Sequence, residues 1–336
     1  MASPLSLTKL WGYLATSTFE RISPAIADNA TGRIWLIHAL RQAGMEQEVP
    51  GGNEIYFPVL KELQTAQAYS DLDVLDVSRA DPTTTAKYNW KQLAVPIMIS
   101  GRDMAINSGD DVRITRILTL FIESAVLSLR NGIADSTTGI FSDNDESAAG
   151  LTGLQNLLTS TSSSTPTTGT AGNLNRATYD FWRNQVRNVS SDFSANGFTR
   201  MHQLYLDCTR GDETPDVMVL TRAAYANYLI NLTATTRHNQ PLTTAKNRVD
   251  NSPDMITFAG TDALIGFDDN CPADNGYFLN AKYTHFVVHP ERNVEVGAFV
   301  DLRPTQDAIA TQAFFMGNFA MSNMARQGLL LNADTN

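Results

Sequence analysis

The chain has 336 residues and a net charge of −10, with 43% hydrophobic and 18% charged residues. An apolar fraction near the globular norm with so few charges excludes a disordered chain. An acidic balance without a basic tract argues against a sequence-reading nucleic-acid protein, whose affinity comes largely from cations neutralising phosphate. The length suits about two domains or one elaborated one. Two cysteines, Cys208 and Cys271, are too few for a disulfide framework or a metal cluster, which fits a reducing or redox-indifferent setting. Neither a secretory leader nor roughly twenty uninterrupted apolar residues is visible, so a soluble protein made in a cytoplasm is expected.

In chain order, the stretch to about Asn29 is poorly periodic. Thr31 to Gly44 predicts a short helix with Ile34, Ile37, His38 and Arg41 on one face, capped by Thr31 and stopped by Gly44. Pro50-Gly-Gly breaks it. Residues 53–99 read as a long two-stranded β excursion with its tip near Arg79 to Thr85. Pro58 and Pro96 place its strands at edges, because proline cannot donate to a ladder. Next comes a long amphipathic helix, Asp110–Asn131, capped by Ser108-Gly-Asp-Asp. Ile114, Ile117, Leu118, Phe121, Ala125 and Leu129 form one stripe, and Val112, Leu120 and Leu127 a second. A polar stretch, 136–150, and a Ser/Thr/Gly tract, Thr159–Gly172, read as exposed loops. Asn173–Val189 reads as a helix, with Tyr179, Trp182 and Val186 on a face. Pro215–Thr221 is a buried strand and Arg222–Leu232 a helix, a small α/β unit. Arg237–Asp254 is loop-like. The remainder is β-rich, with apolar runs at 255–258, 263–267, 277–279, 284–289, 294–296, 308–319 and 329–331.

The common phosphate-cradling, zinc and nucleophile-elbow motifs do not occur. His285 and His289 would share a strand face, but no third ligand has a defined spacing, so a structural pair is expected rather than a metal site. Asp143-Asn-Asp-Glu opens like a calcium loop but lacks the glycine and distal glutamate, so a solvated acidic loop is expected. Cys208 near His202 lacks an oxyanion or orienting group and reads as a buried thiol. No catalytic residue, metal or cofactor is expected.

The distinctive feature is the excursion. A two-stranded ribbon is marginal alone, yet this one carries Tyr56, Phe57, Tyr69, Tyr88 and Trp90 and three of the chain's six lysines, Lys61, Lys87 and Lys91. It is expected to lie across a partner, with Tyr56, Phe57, Lys61, Arg79, Lys87, Tyr88, Trp90 and Lys91 as inter-subunit contacts. The alternative is a hairpin folded back on its own domain. The excess of arginine over lysine suits interface pairing. On this reading, alanine at Tyr88 and Trp90 is expected to leave a soluble subunit that fails to associate.

The order of elements resembles the major capsid proteins of tailed bacteriophages, the Hong Kong 97-type fold. So do two stretches: Tyr88-Asn-Trp-Lys-Gln-Leu-Ala-Val-Pro-Ile, leading through Ser100-Gly-Arg-Asp into the long helix, and Phe314-Phe-Met-Gly-Asn-Phe-Ala-Met-Ser-Asn-Met-Ala-Arg-Gln-Gly. The resemblance implies an α+β fold with an N-terminal arm and short helix (1–52), an extended β-hairpin loop (53–100), a spine helix (101–135) in a peripheral domain, an axial α/β domain (136–285), and closing peripheral strands (286–336). It further implies self-assembly through hexamers and pentamers into an icosahedral virion shell around double-stranded DNA, weakly and non-specifically contacted and without a membrane. Scaffolding, portal and decoration proteins would be separate partners, with assembly in the host cytoplasm. Some relatives crosslink subunits through a Lys–Asn isopeptide bond, but no motif here selects a lysine. The rivals are an encapsulin-like nanocompartment shell and a soluble α/β hydrolytic enzyme using Cys208 or the Asp-rich loops.

Overall fold

The computed structural model describes residues 35–62, 66, 68–71, 81–106, 111–190, 192–235, 256–258, 261, 263–302 and 306–334. Arg79, the Ser108 cap, Thr31, Ile34 and the 237–254 loop lie outside them, as do the side chains of Val112, Ile114, Ile117 and Leu120.

Helix α1 (Trp35–Gln42) buries Leu36, Ile37, Ala39 and Leu40. His38 and Arg41, expected on that face, point to solvent, and Arg41 pairs with Glu46 at 2.7 Å. Gly44 ends the turn at φ +74°, a conformation that other side chains rarely adopt. After β1 (Glu46–Glu48), strands β2 (Glu54–Leu60) and β3 (Thr83–Asn89) form the hairpin, with Glu54 opposite Asn89 and Leu60 opposite Thr83.

Strand β4 (Lys91–Ser100) is not part of that ribbon. It leads through α2 (Gly101–Ile106) into the long helix α3 (Asp111–Ala134), which runs three residues beyond the expected stop at Asn131. Among its described side chains, Leu118, Ile122, Ala125, Val126, Leu129 and Ile133 are buried, whereas Phe121 and Leu127 are exposed. Leu118, Ala125 and Leu129 of the expected first stripe are thus buried within the chain, while Phe121 of that stripe and Leu127 of the second are not.

The segment 154–190 holds a single helical turn, α4 (Leu154–Leu157), then β5 (Thr170–Ala171), β6 (Leu174–Asn175) and β7 (Gln185–Asn188). The helix expected over 173–189 is absent. Trp182 lies in one 3₁₀ turn, its indole N–H donating to the Ala171 carbonyl at 2.8 Å, and Val186 pairs with Leu329 in a sheet. The helix of this region follows instead as α5 (Phe193–Cys208). Asp192 caps it by accepting from the Ser194 amide at 2.8 Å, and Phe193, Gly197, Met201, Leu204 and Cys208 are buried.

The expected strand and helix follow as β8 (Val217–Leu220) and α6 (Arg222–Thr235). The C-terminal apolar runs form β9 (Ile256–Thr257), β10 (Leu264–Phe267), β11 (Asn275–Leu279), β12 (Thr284–Val288), β13 (Glu295–Val296), β15 (Ala308–Met321) and β16 (Gly328–Leu331), and a short β14 (Val300–Asp301) falls outside them. No helix among the described residues is long and apolar enough to cross a membrane.

Two six-stranded sheets organise these elements. In the first, β15 is central. It pairs antiparallel with β4 over ten residues, Ala308 opposite Ser100 through Gly317 opposite Lys91, and with β12, β13 and β14 in succession along its other edge. Leu93, Val95, Ile97 and Ile99 alternate inward on β4, and α3 packs against this strand. Pro58 and Pro96 both sit on strands with a single partner, as the missing N–H requires.

The second sheet has the order β7-β16-β11-β8-β10-β9. Met218, Leu220, Phe278 and Leu330 share a core with α5 and α6, while Val217, Val219, Tyr277 and Leu329 share one with α1. Both faces are covered, so β8 is apolar at every position. Strand pairing therefore crosses the expected boundaries twice: β4 joins the first sheet rather than the hairpin, and β16 joins the second sheet rather than the closing strands of the first.

Candidate functional site

The hairpin alternates cleanly. Ile55, Phe57 and Val59 of β2 and Thr84, Ala86 and Tyr88 of β3 face the body, cross-strand partners of one another. Tyr56, Pro58 and Leu60 face away, opposite Lys87, Thr85 and Thr83. The inner face is spent on this chain. Tyr88 is 1% exposed, and its hydroxyl donates to the Met321 carbonyl at 2.7 Å while accepting from the Met321 amide at 3.3 Å. Burial pushes its phenol far above the ordinary range, so it stays neutral. Gly172, at φ +56°, lies so close to that ring that a Cβ would sit 2.8 Å from the hydroxyl, and its carbonyl accepts from Lys87 N at 3.0 Å. Phe57 stacks on His285 with centroids 4.5 Å apart and meets Tyr88 edge-on at 6.1 Å.

The junction between β3 and β4 is a polar clasp. Lys91, 5% exposed, donates to the carbonyls of Asp145 (3.4 Å), Glu146 (2.9 Å) and Ala148. The Glu146 carboxylate accepts from the Asn89 amide and the Thr152 hydroxyl, both at 2.7 Å. Asn318 Nδ2 donates to the Asn89 carbonyl at 2.8 Å and to the Thr152 hydroxyl at 2.9 Å. Burial lowers the Lys91 pKa against the opposing pull of Glu146 and Asp145, and burial raises that of Glu146. The acidic loop keeps Asp143 and Asp145 exposed, as expected, while its backbone carbonyls wrap around a lysine ammonium.

The eight contact candidates accordingly divide. Tyr88 and Lys91 are buried in their own chain, a correction to the expectation that they reach a neighbour. Phe57 is half-buried against His285. Trp90 is half-buried with its ring edge-on to His289 at 5.8 Å, and its indole N–H has no acceptor among the described residues. Tyr56, Lys61 and Lys87 remain on the exposed face, with Lys87 Nζ 5.6 Å from the Tyr56 ring centroid. Arg79 lies outside the described residues.

That outer face is apolar for a surface: Tyr56 is 52% and Leu60 56% exposed. Met98 and Val300 on the first sheet, Phe121 and Leu127 on α3, and Leu206 and Ile230 on α5 and α6 are exposed as well.

The remaining candidates are occupied. His285 Nε2 lies 3.0 Å from the Ser322 hydroxyl, and burial lowers its pKa to about 4. His289 Nδ1 accepts from the Glu291 amide at 3.3 Å. No three His, Cys, Asp or Glu side chains converge as metal ligands among the described residues. Cys208 lies buried beneath Gly328, and burial pushes its thiol well up, so it is not poised as a thiolate nucleophile.

No protein-family model matches the chain, and no curated protein does. Solved structures do. The cyanophage A-1(L) capsid subunit superposes with a TM-score of 0.61 at 11% identity, covering 88% of this chain and 93% of that one. The capsid subunit of a native GTA particle gives 0.55 at 12% identity, covering 87% and 89%. A chain of Mycobacterium phage Ogopogo gives 0.52 at 10% identity, covering 86% and 90%. The fold is the α+β Hong Kong 97-like capsid fold, and it extends over nearly the whole chain.

Proposed function

We propose that this chain is the major capsid protein of a tailed bacteriophage and assembles with copies of itself into an icosahedral shell enclosing double-stranded DNA. What carries the reading is the whole-length likeness in fold to phage and GTA capsid subunits. The hairpin packs its inner face on its own chain, and its exposed outer face, with Tyr56 and Leu60, is the surface it leaves for a neighbour. In this role the first sheet with α3 is the peripheral domain and the second sheet with α5 and α6 the axial domain. Scaffolding, portal and decoration proteins would be separate partners, and assembly would take place in the host cytoplasm. The net charge of −10 suits DNA that is contained rather than gripped.

The mechanism is association. Obligate interfaces bury roughly 2,000–5,000 Å² and exceed association costs even after large discounts. Closed symmetry repeats each contact, so a modest energy per interface suffices. Expression of the chain, with its scaffold where one is encoded beside it, followed by negative-stain microscopy and size-exclusion chromatography, tests the proposal. Shells or capsomers are the expected result, and a compact monomer or small oligomer under all conditions would refute it. Nucleic-acid content of particles from infected cells separates a virion shell from a nanocompartment filled with enzyme cargo.

A further inference from the structure

Arg176 is 1% exposed, yet its charge has no carboxylate within ion-pair distance among the described residues. Nη2 donates to the carbonyls of Asn156 (3.1 Å) and Leu157 (2.6 Å). Nε is buried without a partner among the described residues, and Nη1 lies beside Gly169, 3.2 Å from where a Cβ would sit. Burial lowers the guanidinium to about pKa 10, so it stays charged at neutral pH. A buried, unpaired cation is costly, and structures ordinarily match it with an anion. Here the guanidinium lines a polar cleft of about 290 Å³ whose walls include Ser160, Thr168, Thr170, Gln155 and, as the single acidic member, Asp143. Thr159, Ser160, Thr161, Thr168 and Thr170 of the Ser/Thr/Gly tract line the cleft, and their hydroxyl groups can donate to an anion without adding charge.

We propose that this cleft binds a small oxyanion of phosphate or carboxylate type, with the Arg176 guanidinium at its floor and the hydroxyls of Ser160 and Thr168 on its walls. Asp143 then weakens the site by repulsion, and the tract is a binding loop rather than a spacer. The inference does not depend on shell assembly.

Isothermal titration of the full chain with inorganic phosphate and with acetate, each against chloride at matched ionic strength, tests it. Arg176 itself is left intact because it also holds two backbone carbonyls. Saturable binding of one equivalent is expected, weakened about tenfold in Ser160→Ala/Thr168→Val through loss of charge-assisted hydrogen bonds and tightened severalfold in Asp143→Asn through loss of repulsion. Preference for phosphate identifies a free or nucleotide phosphate as the natural ligand, and preference for acetate an acidic side chain of another chain. Absence of saturable binding of either anion, or equal affinities in all three proteins, would overturn the proposal.

Discussion

The two faces of the hairpin should respond to mutation in opposite ways. Tyr88→Ala removes a fully buried aromatic ring from the contact with Gly172, Phe57 and Met321. Truncations of that size cost about 3–5 kcal/mol, and the lost Met321 hydrogen bond adds about 1 kcal/mol. The outer-face change Tyr56→Ser/Leu60→Ser touches residues already 52% and 56% exposed, so the isolated subunit should change by no more than about 0.5 kcal/mol. In a shell the same two side chains would be covered. Full burial of a large apolar side chain is worth about 1.5–3 kcal/mol, and roughly half of each remains to be buried, so each inter-subunit contact should weaken by about 2 kcal/mol, or about thirtyfold. Urea unfolding of unassembled subunits, paired with sedimentation velocity of assembly reactions, reads both quantities. Tyr88→Ala should lower the unfolding midpoint steeply, and the outer-face pair should leave it in place while raising the concentration needed for particles. Wild-type assembly by the outer-face pair, or an unchanged midpoint in Tyr88→Ala, would refute this division of labour.

Lys91→Met leaves the carbonyls of Asp145, Glu146 and Ala148 without their donor, and should cost about 2–4 kcal/mol in urea unfolding; Lys91→Arg should not restore it, because a planar fork does not fit a three-carbonyl cup. His285 is held near pKa 4 against about 6.5 when unfolded, so the unfolded chain binds the extra proton first as the pH falls. Its contribution is therefore full above about pH 6.5 and lost between 6.5 and 4, by about 3 kcal/mol in total. Because the raised carboxyl of Glu146 acts in the opposite sense, the measurement is the difference in pH slope between wild type and His285→Gln, which should lack this component. Leu206→Asp and Ile230→Asp, at exposed positions of α5 and α6, should leave circular dichroism and unfolding unchanged while abolishing particles in electron micrographs.

Much of the fold was readable because its signals were local. The inward alternation of Leu93, Val95, Ile97 and Ile99, the all-apolar β8 and every C-terminal apolar run became strands. Failures came where spacing alone decided. Tyr179, Trp182 and Val186 are three and four residues apart and read as a helix, but β16 recruits Val186 as a strand, a long-range pairing invisible in a local window. Helix α5 carries a sound signature, an Asp192 cap followed by Phe193, Met201, Leu204 and Cys208, but Asn196 and Gly197 in its first turns hid it. Gly197 is required there, since a Cβ would sit 2.5 Å from the Phe193 ring. The site was half legible. Lys91 occupies the same register as Leu93, Val95, Ile97 and Ile99, so period-two alternation already placed it inward; reading it as a surface cation gave its charge priority over its position. Arg176 offered no such pattern, because its burial depends on a loop folding over it.

The same register argument revises how the hairpin is stabilised. Three large inward side chains and the Lys91–Glu146–Asn318 clasp hold its root, residues 54–60 and 83–89, within one chain. The root therefore does not need a neighbour to stay ordered, as a free two-stranded ribbon would. It offers a neighbour a preformed surface, which lowers the ordering cost of each contact. On the proposed function, assembly would dock faces already ordered in each subunit, with Tyr56 and Leu60 among the contacts. Loosening the clasp should then weaken assembly even though none of its residues faces outward.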